Sequence, residues 1–234
     1  VLFKFVADVA GDLSAGTLFA AKLAQDDNSI PSETGFDVTW VELGHSNNAE
    51  IEAWIAEYDG IEVADYVDGQ TNYVSDDQIR AYAAGTAPDS RAAFLESRRT
   101  AAAMGATNEW DKLEGVTSHG NNVYVAVSAL MFTMDKSWGH KDWSTGVIDT
   151  SIAGDIALNA EGCGATYVAK TGEDFNIIRL DPYVVGQTDA EGRCEANLPA
   201  NPDNIVALND GTLLIGEDAG KKRHDVDMLW MVKN

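Results

Sequence analysis

A repeated hairpin pattern constrains the fold of this 234-residue chain more than any other feature. Residues 113–125 and 202–215 each contain an acidic residue, a short β-prone stretch, a turn of Asn, Asp or Gly, and a second β-prone stretch. Glu114 aligns with Asp203 at a spacing of 89 residues (203 − 114), and Val123 aligns with Leu213 at a spacing of 90 (213 − 123). Because repeated antiparallel hairpins are typical of β-propellers, the repeat predicts a propeller fold.

The repeat also places a carboxylate at the mouth of each hairpin. Carboxylates from different blades can meet on the axis of a propeller, and convergent oxygens bind hard cations such as calcium. Glu114, Asp203 and the amide oxygen of Asn204 are therefore candidate metal ligands. The alternative is that Asp203 and Asn204 form only an Asx turn after Pro202 and that Glu114 is an exposed loop carboxylate.

The rest of the chain predicts a mainly β domain over residues 1–234 that is interrupted by helices. Residues 1–43 contain three β-prone stretches, and the β signal returns from residue 113 onward. Residues 47–105 instead have a helical pattern, which we interpret as an insertion in a β protein. Three helices are expected there: one from Asn47 or Asn48 to Tyr58, one that opens with a Ser75–Gln78 capping box, and one from Asp89 to Met104.

The composition excludes some classes of protein. Apolar residues make up 45% of the chain, which indicates a folded protein rather than a disordered one. The 38 acidic and 16 basic residues give a net charge of −22, which argues against nucleic-acid binding and favours a solvated acidic surface. No stretch approaches the roughly 20 apolar residues of a membrane span. The first residues, 1–6, read as the middle of a strand, so we expect further residues upstream.

The two cysteines, Cys163 and Cys194, have no CxxC partner and no cluster of His and Cys around them, so a zinc site is not expected. Two interpretations remain. They form a disulfide in an exported protein, which we favour, or they are two buried free thiols. The first interpretation predicts a secreted, periplasmic or cell-surface protein.

Several segments, taken together, resemble the PhoX-type alkaline phosphatases. They follow one another in order across almost the whole chain, which makes the resemblance specific although each segment alone would be weak. The segments are residues 4–8, 11–22, 106–116, 163–167, 201–205, 214–218 and 224–230.

The resemblance implies a secreted or periplasmic phosphomonoesterase on a six-bladed propeller. Its site would contain calcium and iron ions that clamp the phosphate and generate the nucleophile, and its substrates would be small phosphoesters. The chain would be the C-terminal portion of the propeller, and the N-terminal portion, with further ligands including a cysteine, would be its partner. A complete propeller at about 40 residues per blade needs about 240 residues before any insertion, so this chain would contain three or four blades.

The resemblance also implies specific site residues. Glu114 matches a metal-binding glutamate of the family, and Glu161 is a further candidate. Adjacent strand residues point to opposite faces, so one of the pair Glu217 and Asp218 is expected to face the site. The complete set of metal ligands implied by the repeat and the resemblance is Glu114, Glu161, Asp203, Asn204, Glu217 and Asp218.

One departure from the family pattern concerns the phosphate. The family has an arginine shortly before the position of Glu161, but residues 154–161 contain no basic residue. Arginine suits phosphate because its planar fork donates two hydrogen bonds at once. Lys112, close to Glu114, would replace it only as a point charge. The basic run 221–223 is either a second attractor for phosphate or a simple exposed turn.

Three functions follow from these patterns, with no catalytic residue named. The first is metal-dependent hydrolysis of phosphomonoesters. The second is a non-catalytic calcium-binding propeller that acts as a surface or assembly protein, which the missing arginine favours. The third is a propeller lactonase with one calcium, which the resemblance argues against. The sequence has no G-x-S-x-G elbow, no P-loop and no H-E-x-x-H motif.

Overall fold

A computed structural model describes residues 1–65, 74–139, 141, 154–172 and 175–233. Within these residues the protein is mainly β, with ten strands and four short α-helices. The strands are β1 (Phe3–Val9), β2 (Asp12–Gln25), β3 (Phe36–Asn47), β4 (Leu113–His119), β5 (Asn122–Val127), β6 (Ala165–Thr171), β7 (Ile177–Val185), β8 (Pro202–Ala207), β9 (Leu213–Glu217) and β10 (Leu229–Val232). The helices are α1 (Asn48–Ala56), α2 (Asp76–Ala83), α3 (Arg91–Leu95) and α4 (Ser97–Ala103).

The strands form two sheets. One has seven strands in the order β1-β2-β3-β7-β6-β5-β4, and the other has three strands in the order β10-β9-β8. The chain also divides into two compact units, the first made of residues 1–22 and 40–108 and the second of residues 23–39 and 109–234. Strands β2 and β3 have residues in both units.

The helices of the first unit follow the local capping signals only in part. The side chain of Asn47 accepts a hydrogen bond from the Glu50 amide at 3.0 Å and begins α1. The reciprocal Ser75–Gln78 capping box of α2 is confirmed. The prediction of one helix from Asp89 to Met104 is wrong, because the backbone leaves the helical region at Glu96 and separates α3 from α4.

The second unit contains two antiparallel meanders. Strands β4, β5, β6 and β7 pair in chain order, and so do β8, β9 and β10. The two copies of the sequence repeat therefore form the predicted hairpins, β4–β5 and β8–β9. Apolar side chains of the two meanders pack into one core, in which Tyr124 and Ala126 of β5 meet Ile205, Leu213 and Ile215. Full burial of each Leu or Ile side chain stabilises the folded state by roughly 1.5–3 kcal/mol.

The first strands of the two hairpins, β4 and β8, run side by side in the same direction. The Ala207 amide donates to the Thr117 hydroxyl at 3.1 Å, and the His119 ring lies 3.2 Å from the Asn209 carbonyl oxygen. Both contacts join residues 90 positions apart, which is the spacing of the repeat. Equivalent positions of the two hairpins are therefore neighbours in space.

Candidate functional site

The residues predicted as ligands lie at one end of the strands of the second unit. Leu113, Val127 and Ala165 occupy the same level of the sheet, because Leu113 pairs with Val127 and Val127 pairs with Ala165. In the smaller sheet, Pro202 pairs with Glu217. Glu114 lies at the start of β4, Asp203 and Asn204 lie at the start of β8, and Glu217 and Asp218 lie at the end of β9. Glu161 precedes the start of β6 by four residues (165 − 161).

Asn201 joins these strand ends to one another. Its side-chain amide donates to the carbonyl oxygens of Ser128 at 2.5 Å and Gly162 at 2.9 Å. Its backbone amide donates to the Cys163 carbonyl at 2.8 Å, and its own carbonyl accepts from the Asp218 amide at 3.1 Å. Asn201 has a φ of 45°, a left-handed conformation that asparagine tolerates better than most residues. This single residue ties the ends of β5 and β9 and the start of β6 to the start of β8.

Glu217 is a buried carboxylate whose oxygens are occupied by protein donors. Its side chain is 0% exposed. Oε1 accepts from the Ala200 amide at 2.9 Å and from the Trp230 indole N–H at 2.5 Å. Oε2 accepts from the Met228 amide and the His224 ring Nδ1, both at 3.0 Å.

These four contacts define a structural role for Glu217. An ionised carboxylate has about four acceptor sites, so the protein fills all of them. The other ring nitrogen of His224 lies 3.3 Å from the Glu195 carbonyl oxygen. A metal ion on Glu217 would have to replace at least one of these donors; its role as a ligand stays a prediction.

Glu161 has a similar local role beside the disulfide. Its Oε1 accepts from the Cys163 amide at 2.9 Å and from the Thr188 hydroxyl at 2.5 Å. Its Oε2 accepts from the Thr188 amide at 3.1 Å. The Cys163–Cys194 disulfide is present, which confirms the predicted bond and excludes the free-thiol alternative. Glu161 and the disulfide together fasten the connection between β7 and β8 to the start of β6.

Lys112 and Glu114 form an accessible ion pair at the start of β4. The Lys112 ammonium lies 3.6 Å from Oε1 of Glu114, whose side chain is 31% exposed. The Ser128 hydroxyl contacts the same oxygen at 3.5 Å. Next to them, burial raises the pKa of the Asp111 carboxyl, against the opposing charge of Lys112. Lys112 and Glu114 remain open to a ligand from solvent.

Asp203 lies next to the start of β4. A Cβ atom on Gly115 would be only 2.5 Å from the Asp203 carbonyl oxygen, so glycine permits this close approach of the two strands. The Asp203 side chain accepts a hydrogen bond from the Asn204 amide at 3.3 Å. Asp203 is partly exposed and Asn204 and Asp218 are exposed, so their oxygens are accessible.

The structure thus places the predicted residues at one end of the second unit. Glu161, Glu217 and Asp218 are linked through the segment around Asn201, and Glu114 is linked to it through Ser128. In the part of the chain that the structure describes, no three His, Cys, Asp or Glu side chains are placed to bind one ion. The six ligand assignments stay predictions.

The sequence alone does not predict the contacts of two residues of this region, Asn201 and Arg223. Asn201 belongs to one of the resembling segments, but its four hydrogen bonds join it to segments far apart in the chain, which a sequence pattern does not predict. Arg223 belongs to the basic run 221–223, and its guanidinium group occupies the space that a side chain on Gly162 would fill. Arg223 and Gly162 lie far apart in the chain, so no spacing rule connects them.

Two further findings bear on the class of protein. Across the described ranges, none of the helices has the length and apolar character needed to cross a membrane. Comparisons with models of protein families, with curated proteins and with solved structures gave no match.

Proposed function

We propose that the protein is part of a metal-dependent phosphomonoesterase of the PhoX type, which releases phosphate from organic phosphoesters. The observation that carries the proposal is the register of the repeat. Strands β4 and β8 lie side by side with equivalent residues in contact, and each begins with an accessible carboxylate, Glu114 on one and Asp203 on the other. Carboxylates must lie on neighbouring segments if they are to share a cation, and the two strand starts meet this condition.

The strand pairing supports a propeller as the architecture. A propeller blade is a four-stranded antiparallel sheet whose strands follow one another in the chain, and β4–β7 pair in this order within the larger seven-stranded sheet, in which β7 also pairs with β3. Strands β8–β10 repeat the first three positions, and β4 and β8 occupy equivalent places. In this proposal residues 47–105, with helices α1–α4, are an insertion in the propeller.

The available donors suit hard cations. Glu114, Asp203 and Asp218 offer carboxylate oxygens and Asn204 offers an amide oxygen, which are ligands that calcium and ferric iron prefer. Calcium takes six to eight oxygens, so this set would supply part of a coordination shell. Bound ions would polarise the phosphoryl oxygens and supply the nucleophile.

The other residues would position this set. Glu161 and Glu217, whose oxygens accept internal hydrogen bonds, hold the loops that carry Asn201 and Asp218. Lys112 offers a positive charge to the phosphate group beside Glu114. The disulfide is typical of oxidising compartments, which supports a secreted or periplasmic location.

Hydrolysis of p-nitrophenyl phosphate tests the proposal. We expect turnover that is lost on chelation and restored by calcium with iron. Asp203→Asn should lower kcat/KM at least about tenfold at saturating metal, which corresponds to the loss of one charged ligand. Asp77→Asn, a change of the same charge on a side chain that is 90% exposed on α2, is the matched control and should keep full activity. Turnover that survives thorough chelation would refute the proposal.

A non-catalytic calcium-binding propeller that serves as a surface or assembly protein is the second candidate. The carboxylate oxygens of Glu161 and Glu217 favour this candidate, because they accept hydrogen bonds from the protein and so stabilise the fold without a part in catalysis. Calcium would then raise the melting temperature by mass action with no phosphate release. A calcium-dependent melting curve beside the hydrolysis assay separates the two candidates.

A further inference from the structure

Arg223 is a partly buried arginine that has no carboxylate partner among the described residues, in a chain of net charge −22. In the described ranges, the arginines other than Arg223 and Arg98 each pair with at least one carboxylate, and Arg98 is exposed on α4. The paired arginines are Arg80, Arg91, Arg99, Arg179 and Arg193. In so acidic a protein, a half-buried guanidinium group that avoids carboxylates is available to another anion.

The contacts of Arg223 use little of its hydrogen-bonding capacity. Its Nη1 donates to the Gly192 carbonyl at 3.2 Å, and its Nη2 lies 4.0 Å from the Met131 sulfur. A guanidinium group has five N–H donors in a rigid fork, so most of them have no strong acceptor among the described residues. The exposed Lys221 and Lys222 precede it and add positive charge.

The position of this guanidinium group connects it to the candidate site. It lies over Gly162, where any larger residue would collide with it. The Gly162 carbonyl accepts from Asn201, whose own carbonyl accepts from the Asp218 amide. Arg223 therefore borders the segment around Asn201, at the same strand ends as the predicted ligands.

We propose that Arg223 binds the phosphate group of a phosphomonoester, or free phosphate, through its guanidinium fork. Two parallel N–H donors match two oxygens of a phosphate dianion, and partial burial strengthens the charged hydrogen bonds. The inference deepens the proposed phosphomonoesterase function by naming a residue that grips the substrate. Binding of inorganic phosphate can be measured without turnover, so the inference has its own test.

The test is calorimetric titration of the metal-free 234-residue chain with inorganic phosphate at constant ionic strength. We expect Arg223→Gln to raise the Kd at least about tenfold, as the loss of a charged bidentate contact should. Arg193→Gln removes the same charge from a nearby arginine that is paired with Asp225 at 2.9 Å, and it should change the Kd less than about twofold. Arg223→Lys should recover only part of the affinity, because it keeps the charge and loses the fork.

Gly162→Ala provides a test of geometry without a change of charge. The added methyl group would displace the guanidinium group, so this variant should weaken phosphate binding, as Arg223→Gln does. Circular dichroism checks that the variant is folded.

Equal phosphate affinity of wild type and Arg223→Gln, or no phosphate binding by the wild type, would overturn the inference. If the wild type hydrolyses phosphomonoesters and Arg223→Gln keeps the same KM, the inference is wrong and the proposed function stands. If Arg223→Gln loses phosphate binding in a protein that shows no turnover, the inference stands and the proposed function is wrong.

Discussion

Replacement of Glu217 by glutamine tests whether this carboxylate has a structural role or binds a metal ion. The change keeps the size of the side chain but removes its charge and one of its two acceptor oxygens. Its four donors come from three segments: the Ala200 amide, the Trp230 indole and Met228 amide, and the His224 ring. Glutamine loses the fewest hydrogen bonds if its side-chain nitrogen takes the Oε2 position, where the His224 ring nitrogen can accept from it.

The magnitude follows from the contacts that remain. With the nitrogen at that position, the buried Met228 amide loses its acceptor, which costs about 1–3 kcal/mol. The hydrogen bond to His224 also loses the carboxylate charge, and hydrogen bonds to charged groups contribute about 1.5–3 kcal/mol. We therefore expect the free energy of unfolding to fall by about 3 kcal/mol. For a chain of this size, that corresponds to a melting temperature lower by about 6–12 °C.

Urea unfolding followed by tryptophan fluorescence is the assay, with and without a calcium chelator. The loss in Glu217→Gln should be the same in both conditions, because the hydrogen bonds of Glu217 do not depend on a metal. Glu114→Gln, which changes a side chain that is 31% exposed, is the control and should change stability by less than about 0.5 kcal/mol without calcium. The structural role would be refuted if Glu217→Gln were nearly as stable as wild type in chelator but lost the stabilisation by calcium.

Three further changes test other contacts. Replacing both Cys163 and Cys194 by serine should lower the free energy of unfolding by about 3–4 kcal/mol, since the bond closes a loop with a sequence separation of 31; urea titration that shows no change would contradict this. Tyr167→Phe should be neutral or stabilising by up to about 1 kcal/mol, because the buried Tyr167 hydroxyl has no hydrogen-bond partner among the described residues; a clear loss of stability by calorimetry would count against this. Arg179 holds the pKa of Asp26 below its usual value, so this pair stabilises the fold above about pH 4, and the contribution disappears as the pH falls through the lowered pKa. Arg179→Met should therefore reduce the loss of stability that urea titrations measure between neutral and acidic pH. An unchanged dependence of stability on pH in this range would contradict the prediction.

The sequence predicted the features that depend on local patterns. The hairpins β4–β5 and β8–β9 followed from the repeat of β-prone stretches around a turn, and the capping box of α2 followed from residues three positions apart. The break between α3 and α4 was missed because the pattern from Asp89 to Met104 is helical throughout, while the backbone departs from the helix at Glu96.

The candidate site could be predicted only in outline. The repeat located Glu114 and Asp203 at equivalent strand starts, and the structure places those strands side by side. The contacts of Asn201 and Glu217 could not be predicted, because their partners lie in segments that no spacing rule connects. The two carboxylate oxygens make Glu217 a candidate metal ligand, but they also suit it to accept hydrogen bonds from four N–H donors.

Calcium titration calorimetry on the metal-free chain tests most directly whether Glu114 and Asp203 share a cation. We expect the wild type to bind calcium and each of Glu114→Gln and Asp203→Asn to weaken binding at least about tenfold, with Asp77→Asn unchanged. If the two variants bind calcium as tightly as the wild type, the neighbouring hairpins do not form a metal site.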